Sequence, residues 1–233
     1  MRAIVPAAGE GTRLRPLTVD TPKPLLEVGG EPILGRLLAL LADHDIEAVT
    51  VITGYRDEAI VDRFGTQFRD MPISYVVQEQ RRGLGHAVVL ADDPAGPVAI
   101  VNGDNVYAPD TVLPLDRIAD PAVDGVVLVE KASRSKATTT GVVTVDDSWL
   151  TGLVEKPTDL PSSLITTGVS VMPPRIVEYC RNLTPTDGEL ELTDAINQLV
   201  ADGACIRPVR FEGERVNVNR PRYPSGPRLS SRR

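Results

Sequence analysis

Five short apolar segments of strand character, at 3–7, 48–53, 73–77, 98–102 and 125–130, recur through the first half of the chain, and helix-patterned stretches lie between several of them. Over 33–43 the apolar residues return at helical spacing, which puts Leu34, Leu37, Leu38 and Leu41 on one face, and 56–64 and 84–90 behave similarly. A chain that alternates in this way builds an α/β fold, a mostly parallel sheet covered by helices on both sides. On such sheets ligands sit at the carboxyl ends of the strands, near the point where strand order reverses. The 233 residues, 42% of them hydrophobic, suffice for one well-filled core.

The second half is less regular. A hairpin is expected from 141–145 and 150–155 around a turn at 146–148, with a further strand at 168–172. Helices are expected at 175–181 and 192–202, the latter with Thr193 near its start and Gly203 as its stop signal. Residues 1–219 are read as one domain. The remainder, 220–233, is a basic tail, and from 221 on it mixes Pro, Gly, Ser and Arg and is expected to be disordered.

Charge and cysteine content narrow the function classes. The net charge of −7 argues against a nucleic-acid partner, and it hides an asymmetry, because 220–233 carry five Arg and no acid. Without them the body stands at −12 and contains only four Lys. Such a body fits a protein of a salty cytoplasm, although a GC-rich genome produces the same scarcity of Lys. Cys180 and Cys205 have no CxxC or Cys/His companion, so neither a disulfide framework nor a zinc site is expected. No apolar run reaches the roughly 18 to 20 residues of a membrane span, and the start lacks a signal pattern, so a cytoplasmic location without membrane contact is expected.

The first strand-like segment ends in Ala8, Gly9, Glu10, Gly11, Thr12 and Arg13. A small-residue loop after a strand lets backbone N–H groups approach phosphate oxygens, and Arg13 adds a guanidinium. The loop is neither a Walker motif nor a dinucleotide fingerprint, since GK[ST] is absent and the third glycine of GxGxxG would fall on Leu14. The whole run from 9 to 26, GEGTRLRPLTVDTPKPLL, resembles the signature of the sugar-1-phosphate nucleotidylyltransferases, and likeness to that family extends to about Asn219. The fold it implies is the Rossmann-like nucleotide-diphospho-sugar transferase fold. Its reaction joins a nucleoside triphosphate, here UTP or dTTP by preference, to a sugar 1-phosphate, here glucose 1-phosphate, and releases pyrophosphate with the help of magnesium or manganese.

That resemblance implies a site residue by residue. Ala8, Gly9, Gly11, Thr12 and Arg13 would hold the nucleotide, with Arg13 clamping the triphosphate and Lys23 against the reacting phosphoryl group. In QEQRRGLGHA, Gln78 would read the base and Gly83 would let it stack closely, while His86 is a packing residue rather than a base. Asp104, in the GD pair after the strand at 98–101, would ligate the metal, since hard cations take oxygen ligands. Where many relatives carry a second Asp, RVNVNRP offers Asn217 as the partner ligand and Asn219 as the alternative. In EKP, Glu155 would hold a sugar hydroxyl and Lys156 the sugar phosphate. Gly141, Gly168 and Val169 match further sugar-pocket segments, and ELELTD at 189–194 is read as a support for the pocket.

The catalytic set is thus Arg13, Lys23, Asp104 and Lys156. Other readings are a cytidylyltransferase for a non-sugar phosphate, against which EKP and the TGV segment argue, and a regulatory subunit that only binds sugar nucleotide. A homo-oligomer is expected by analogy alone.

Overall fold

The computed structural model describes residues 1–54 and 56–219 of the chain, so the tail expected to be disordered at 220–233 lies outside the described residues. The chain enters through β1 (Arg2–Pro6), β2 (Glu27–Val28), β3 (Glu31–Pro32), α1 (Ile33–Ala42), β4 (Ala48–Thr53), α2 (Asp57–Phe64) and β5 (Gln67–Phe68). It continues with β6 (Met71–Val77), α3 (Gly83–Leu90), β7 (Val98–Val101), β8 (Asn105–Tyr107), β9 (Gly125–Lys131) and α4 (Arg134–Ala137). The last part holds β10 (Gly141–Asp146), β11 (Trp149–Glu155), β12 (Leu164–Met172), α5 (Ile176–Asn182), α6 (Leu192–Ala201), β13 (Ile206–Arg210) and β14 (Arg215–Asn217).

The main sheet runs β11-β10-β12-β7-β1-β4-β6-β5, with β9 alongside β12 and β13 alongside β9. Its first half is parallel, with β7, β1, β4 and β6 in register, while β10, β11 and β12 join antiparallel. From β1 the chain steps outward to β4 and β6 and then returns to the opposite flank of β1 as β7. Strand order therefore reverses between β1 and β7, and the loops leaving these two strands, which carry Ala8–Gly11 and Asn102–Asp104, lie at the reversal.

Helices cover both faces. Leu34, Leu37, Leu38 and Leu41 of α1 are each fully buried against β1, β4 and β6, as the helical spacing requires. The other face buries Val88 of α3, Ile176 and Cys180 of α5, and Ile196 and Leu199 of α6. Beside α1 a groove of about 1020 Å³ opens between that helix and the loop 107–116. None of the candidate site residues lines it.

Candidate active site

Two loops meet at the strand-order reversal because Gly103 lets them. The Gly103 N–H donates to the Pro6 carbonyl at 3.0 Å, and a Cβ on Gly103 would come within 2.7 Å of that same oxygen. Any side chain there would push the loop after β7 away from the loop after β1. Behind the latter, Gly11 has φ +65°, and the Thr18 hydroxyl donates to its carbonyl at 2.8 Å. Thr12 and Arg13 open a short 3-10 turn, both side chains are exposed, and the Arg13 guanidinium has no partner among the described residues. Gly9 has open space on its Cβ side. An exposed, unpaired guanidinium and an open small-residue loop at the end of β1 can receive a polyphosphate.

The charged centre lies beside this loop. Lys23, at the start of a second 3-10 turn, places Nζ 3.0 Å from Asp104 Oδ2 and 2.7 Å from Asn219 Oδ1. The side chains of Lys23 and Asp104 are 11% and 27% exposed, so their attraction is screened less than that of a surface pair. Asn217 donates its amide to the other carboxylate oxygen, Oδ1, at 3.0 Å. Strand pairing makes this convergence, since β14 lies antiparallel to β8 with Asn217 opposite Asn105, and the Val218 N–H donates to the Asp104 carbonyl at 2.9 Å.

No group of three or more His, Cys, Asp or Glu side chains gathers for a metal among the described residues. What gathers is one carboxylate and two amides. Asp104, Asn217 and Asn219 offer only oxygen to a cation, and an Asn amide presents oxygen in place of nitrogen by turning over. That donor set suits a magnesium-type ion that draws its remaining ligands from phosphates and water.

Gln78 is 6% exposed at the end of β6, and its amide nitrogen is engaged on both sides, by the Gly83 carbonyl at 3.1 Å and His86 Nδ1 at 2.9 Å. Because Nδ1 accepts that bond, the His86 proton resides on Nε2. Burial, then the nearby Arg82 charge, lowers the His86 pKa, while a bond with the Gln80 main chain acts the other way. His86 is thus a neutral strut. Gly83 faces protein rather than open space on its Cβ side, because a Cβ would meet the Leu190 carbonyl at 2.6 Å. Its missing side chain makes room for that backbone.

A second cavity, about 150 Å³, lies between β10, β11, β12 and the start of α6. Gly141, Glu155, Gly168 and Val169 line it, as does Glu191. Gly141 pairs with Glu155 across the hairpin, and a Cβ on Gly141 would stand 3.1 Å from Glu155 Oε2. Gly168, at φ +78°, marks the break in register within β12. Lys156 is exposed and 3.2 Å from Glu155 Oε1. Asn102 lines the cavity too and heads the loop that carries Asp104, so the carboxylate centre and the cavity share one wall.

The nucleotidyl transferase family profile matches residues 2–214. The chain belongs to that family. As a nucleotidyltransferase it is 36% identical to the UTP–glucose-1-phosphate uridylyltransferase AglF of Haloferax volcanii, over 95% of this chain and 92% of the relative. It is 31% identical to the bifunctional protein GlmU of Methanococcus maripaludis over 95% of its own length, and it spans about half, 52%, of that relative. Among solved structures it matches a candidate glucose-1-phosphate thymidylyltransferase of Bacillus anthracis, in complex with sucrose, with a TM-score of 0.85 at 26% identity, over 94% of this chain and 90% of that one.

Several residues of this nucleotidyltransferase's site carry no local signal in the sequence. Arg215 is one, with a side chain 6% exposed that donates to Asn105 Oδ1 at 2.9 Å, Glu130 Oε1 at 2.8 Å and the Thr166 carbonyl at 3.3 Å. Asn105, 1% exposed, also donates to the Thr167 carbonyl at 3.2 Å, which ties β8 to β12. Arg81 joins the phosphate loop to the segment after β6 through the Ala8 carbonyl at 3.2 Å and Glu10 Oε1 at 2.5 Å. Each partner lies far off in sequence, so only the fold reveals the contact.

Proposed function

We propose that residues 1–219 form a nucleotidylyltransferase domain that moves a uridylyl group, or a thymidylyl group in its place, from the triphosphate to glucose 1-phosphate. The observation that carries this reading is the Lys23–Asp104–Asn217–Asn219 cluster, set between an open phosphate-type loop and a cavity lined by Glu155. The names of the relatives point to UTP or dTTP and to glucose 1-phosphate as substrates.

In this reading an oxygen of the sugar phosphate attacks the α-phosphorus and forms a new P–O bond. The bond from that phosphorus to the bridging oxygen of the β-phosphate breaks, and pyrophosphate leaves with the electron pair. A phosphate dianion is nucleophile enough, which agrees with a neutral His86 engaged as a strut. The protein's part is to hold two anions together and to spread the developing charge over fixed cations. Arg13 would take the outer phosphates, Lys23 the reacting one and Lys156 the sugar phosphate, while Gln78 would fix the wall on which the base rests. Magnesium, or manganese in its place, would be held by Asp104 and Asn217 and would neutralise phosphate charge when bound.

Pyrophosphate release tests this directly. Purified protein with magnesium is given UTP, dTTP, GTP or CTP with each of several sugar 1-phosphates and, separately, phosphocholine. Release that requires both substrates and favours UTP or dTTP with glucose 1-phosphate is expected. Release with CTP and phosphocholine alone, or none at all, would overturn it.

A further inference from the structure

Among the described residues β11 ends the sheet, since it pairs only with β10. A strand edge leaves its backbone groups to water or to another chain unless something covers them. At Leu153 a side chain does so. Asn197 of α6 accepts from the Leu153 N–H through Oδ1 and donates to its carbonyl through Nδ2, at 2.8 Å each, as a neighbouring strand residue would. Only one orientation of the amide satisfies both bonds. Leu153, Ile196 and Leu199 belong to one buried cluster, which seats α6 against the strand. Beyond this clamp β11 ends at Glu155, and Lys156 after it has φ +43°, in the left-handed region. That conformation is costly for a residue with a Cβ and persists where its surroundings hold it. From the β10 side, Gly141 pairs with Glu155, and the Thr140 carbonyl accepts from the Lys156 N–H at 3.2 Å. Asn197 holds the strand from the opposite edge.

We propose that Asn197 is a positioning residue for the sugar-phosphate half of the site: by clamping β11 at Leu153 it fixes the left-handed turn from which Glu155 and Lys156 meet the substrate. The inference rests on the proposed transfer to glucose 1-phosphate, in which Lys156 takes the sugar phosphate. Lys156 is exposed, and its ammonium lies 3.2 Å from Glu155 Oε1. A lysine on a flexible, uncovered stem owes its aim to its backbone. The backbone is in turn held by the strand that leads into it, so a slack β11 edge would misplace the cation that the second anion must meet. The nucleotide half is built elsewhere. Its loop leaves β1 and Gln78 follows β6, and β10, β12 and β7 separate β11 from both strands in the sheet order. Loosening β11 should therefore be felt by one substrate and not by the other.

The test is steady-state kinetics with glucose 1-phosphate and UTP varied in turn, at a temperature where every variant is folded. Asn197→Ala is expected to lower kcat/KM for glucose 1-phosphate about tenfold or more, while the KM for UTP stays within about twofold of the wild type. Asn197→Asp, of the same size, keeps the acceptor for the Leu153 N–H and loses the donor to its carbonyl, and should show the same selectivity with a fall of about threefold or more. Leu38→Ala, in the core on the opposite face of the sheet, controls for lost stability and should leave both constants within about twofold. In a Lys156→Ala background the loss from Asn197→Ala should shrink by about threefold or more, because one of the groups it positions is gone. A wild-type kcat/KM in the Ala variant, a fall that Leu38→Ala reproduces, a KM for UTP that rises alongside, or losses that multiply in full with Lys156→Ala would overturn the role of Asn197 and leave the proposed function standing. Absence of transfer in the wild type would overturn both.

Discussion

Replacing Arg215 by Met tests whether the second half of the site is held by a buried charge. The guanidinium is almost wholly covered and binds Glu130, Asn105 and the Thr166 carbonyl, thereby joining β14 to β8, β9 and β12. Removing one member of a buried ion pair costs about 3 to 5 kcal/mol, because the other is left unpaired. Two features place Arg215 at the low end. Glu130 keeps Lys136, at 2.6 Å, and Arg215 Nε is buried without a partner among the described residues, so its removal relieves a cost already present. The expected loss is therefore about 3 kcal/mol, which at this chain length lowers the melting temperature by about 6 to 12 °C. Thermal unfolding reads the loss, and a cycle with Glu130→Gln isolates the pair, with a coupling of about 1.5 to 3 kcal/mol expected for a charged hydrogen bond. A loss below about 1 kcal/mol, the scale of a surface ion pair, would refute the idea that Arg215 fastens the strand carrying Asn217.

Other perturbations separate chemistry from stability. Asp104→Ala and Lys156→Ala are each expected to cut turnover about a hundredfold or more in the pyrophosphate assay with the fold retained; turnover near wild type would remove the residue from the mechanism. Leu38→Ala, at a fully buried position of α1, should cost about 2 to 5 kcal/mol in denaturant unfolding. Stability also carries a mark of Glu191. Partial burial, then the charges of Glu155 and Glu189, raise its folded pKa above the unfolded one, so the native state binds more protons between the usual carboxylate range and about 7, and stability should fall as pH rises through that window. Glu191→Gln should flatten that part of the stability curve, and an unchanged slope would count against the shift. Because the body carries −12 without 220–233, added KCl should raise the melting temperature by screening self-repulsion; a midpoint independent of salt would remove the expectation of a salt-adapted protein.

The regular elements of the first half were legible because burial imposes a period. The leucines of α1 lie on one face at helical spacing, and β1, β4 and β7 read as mainly apolar runs because both faces of a parallel strand are covered, whereas β6 alternates buried and exposed positions over its first four residues. β13 gave no such signal. It carries Arg207, Pro208 and Arg210 and among the described residues pairs only with β9, and an edge strand tolerates a Pro because one side of its backbone needs no partner. β8 and β14 are three residues each, too short for any period to show.

For the site, the resemblance named Lys23, Asp104, Asn217 and Asn219, and the fold brings all four together through 81 to 196 residues of intervening chain. Arg13 stands apart from them with its guanidinium exposed, and Lys156 touches only Glu155 among these residues. What sequence could not supply is the state of each polar group. Gln78 reads as a free amide in QEQRRG, yet its nitrogen is taken by Gly83 and His86. Glu191 reads as one acid among several, and only the fold brings it to the cavity that Glu155 also lines.

Phosphorus NMR with glucose 1-phosphate carrying oxygen-18 throughout its phosphate tests the central claim most directly. If a sugar-phosphate oxygen attacks the α-phosphorus of UTP, the label appears in the bridging position of the sugar nucleotide and on its sugar-side phosphorus, and the pyrophosphate formed with it contains none. Label in pyrophosphate or in free phosphate, or no sugar nucleotide at all, would contradict it.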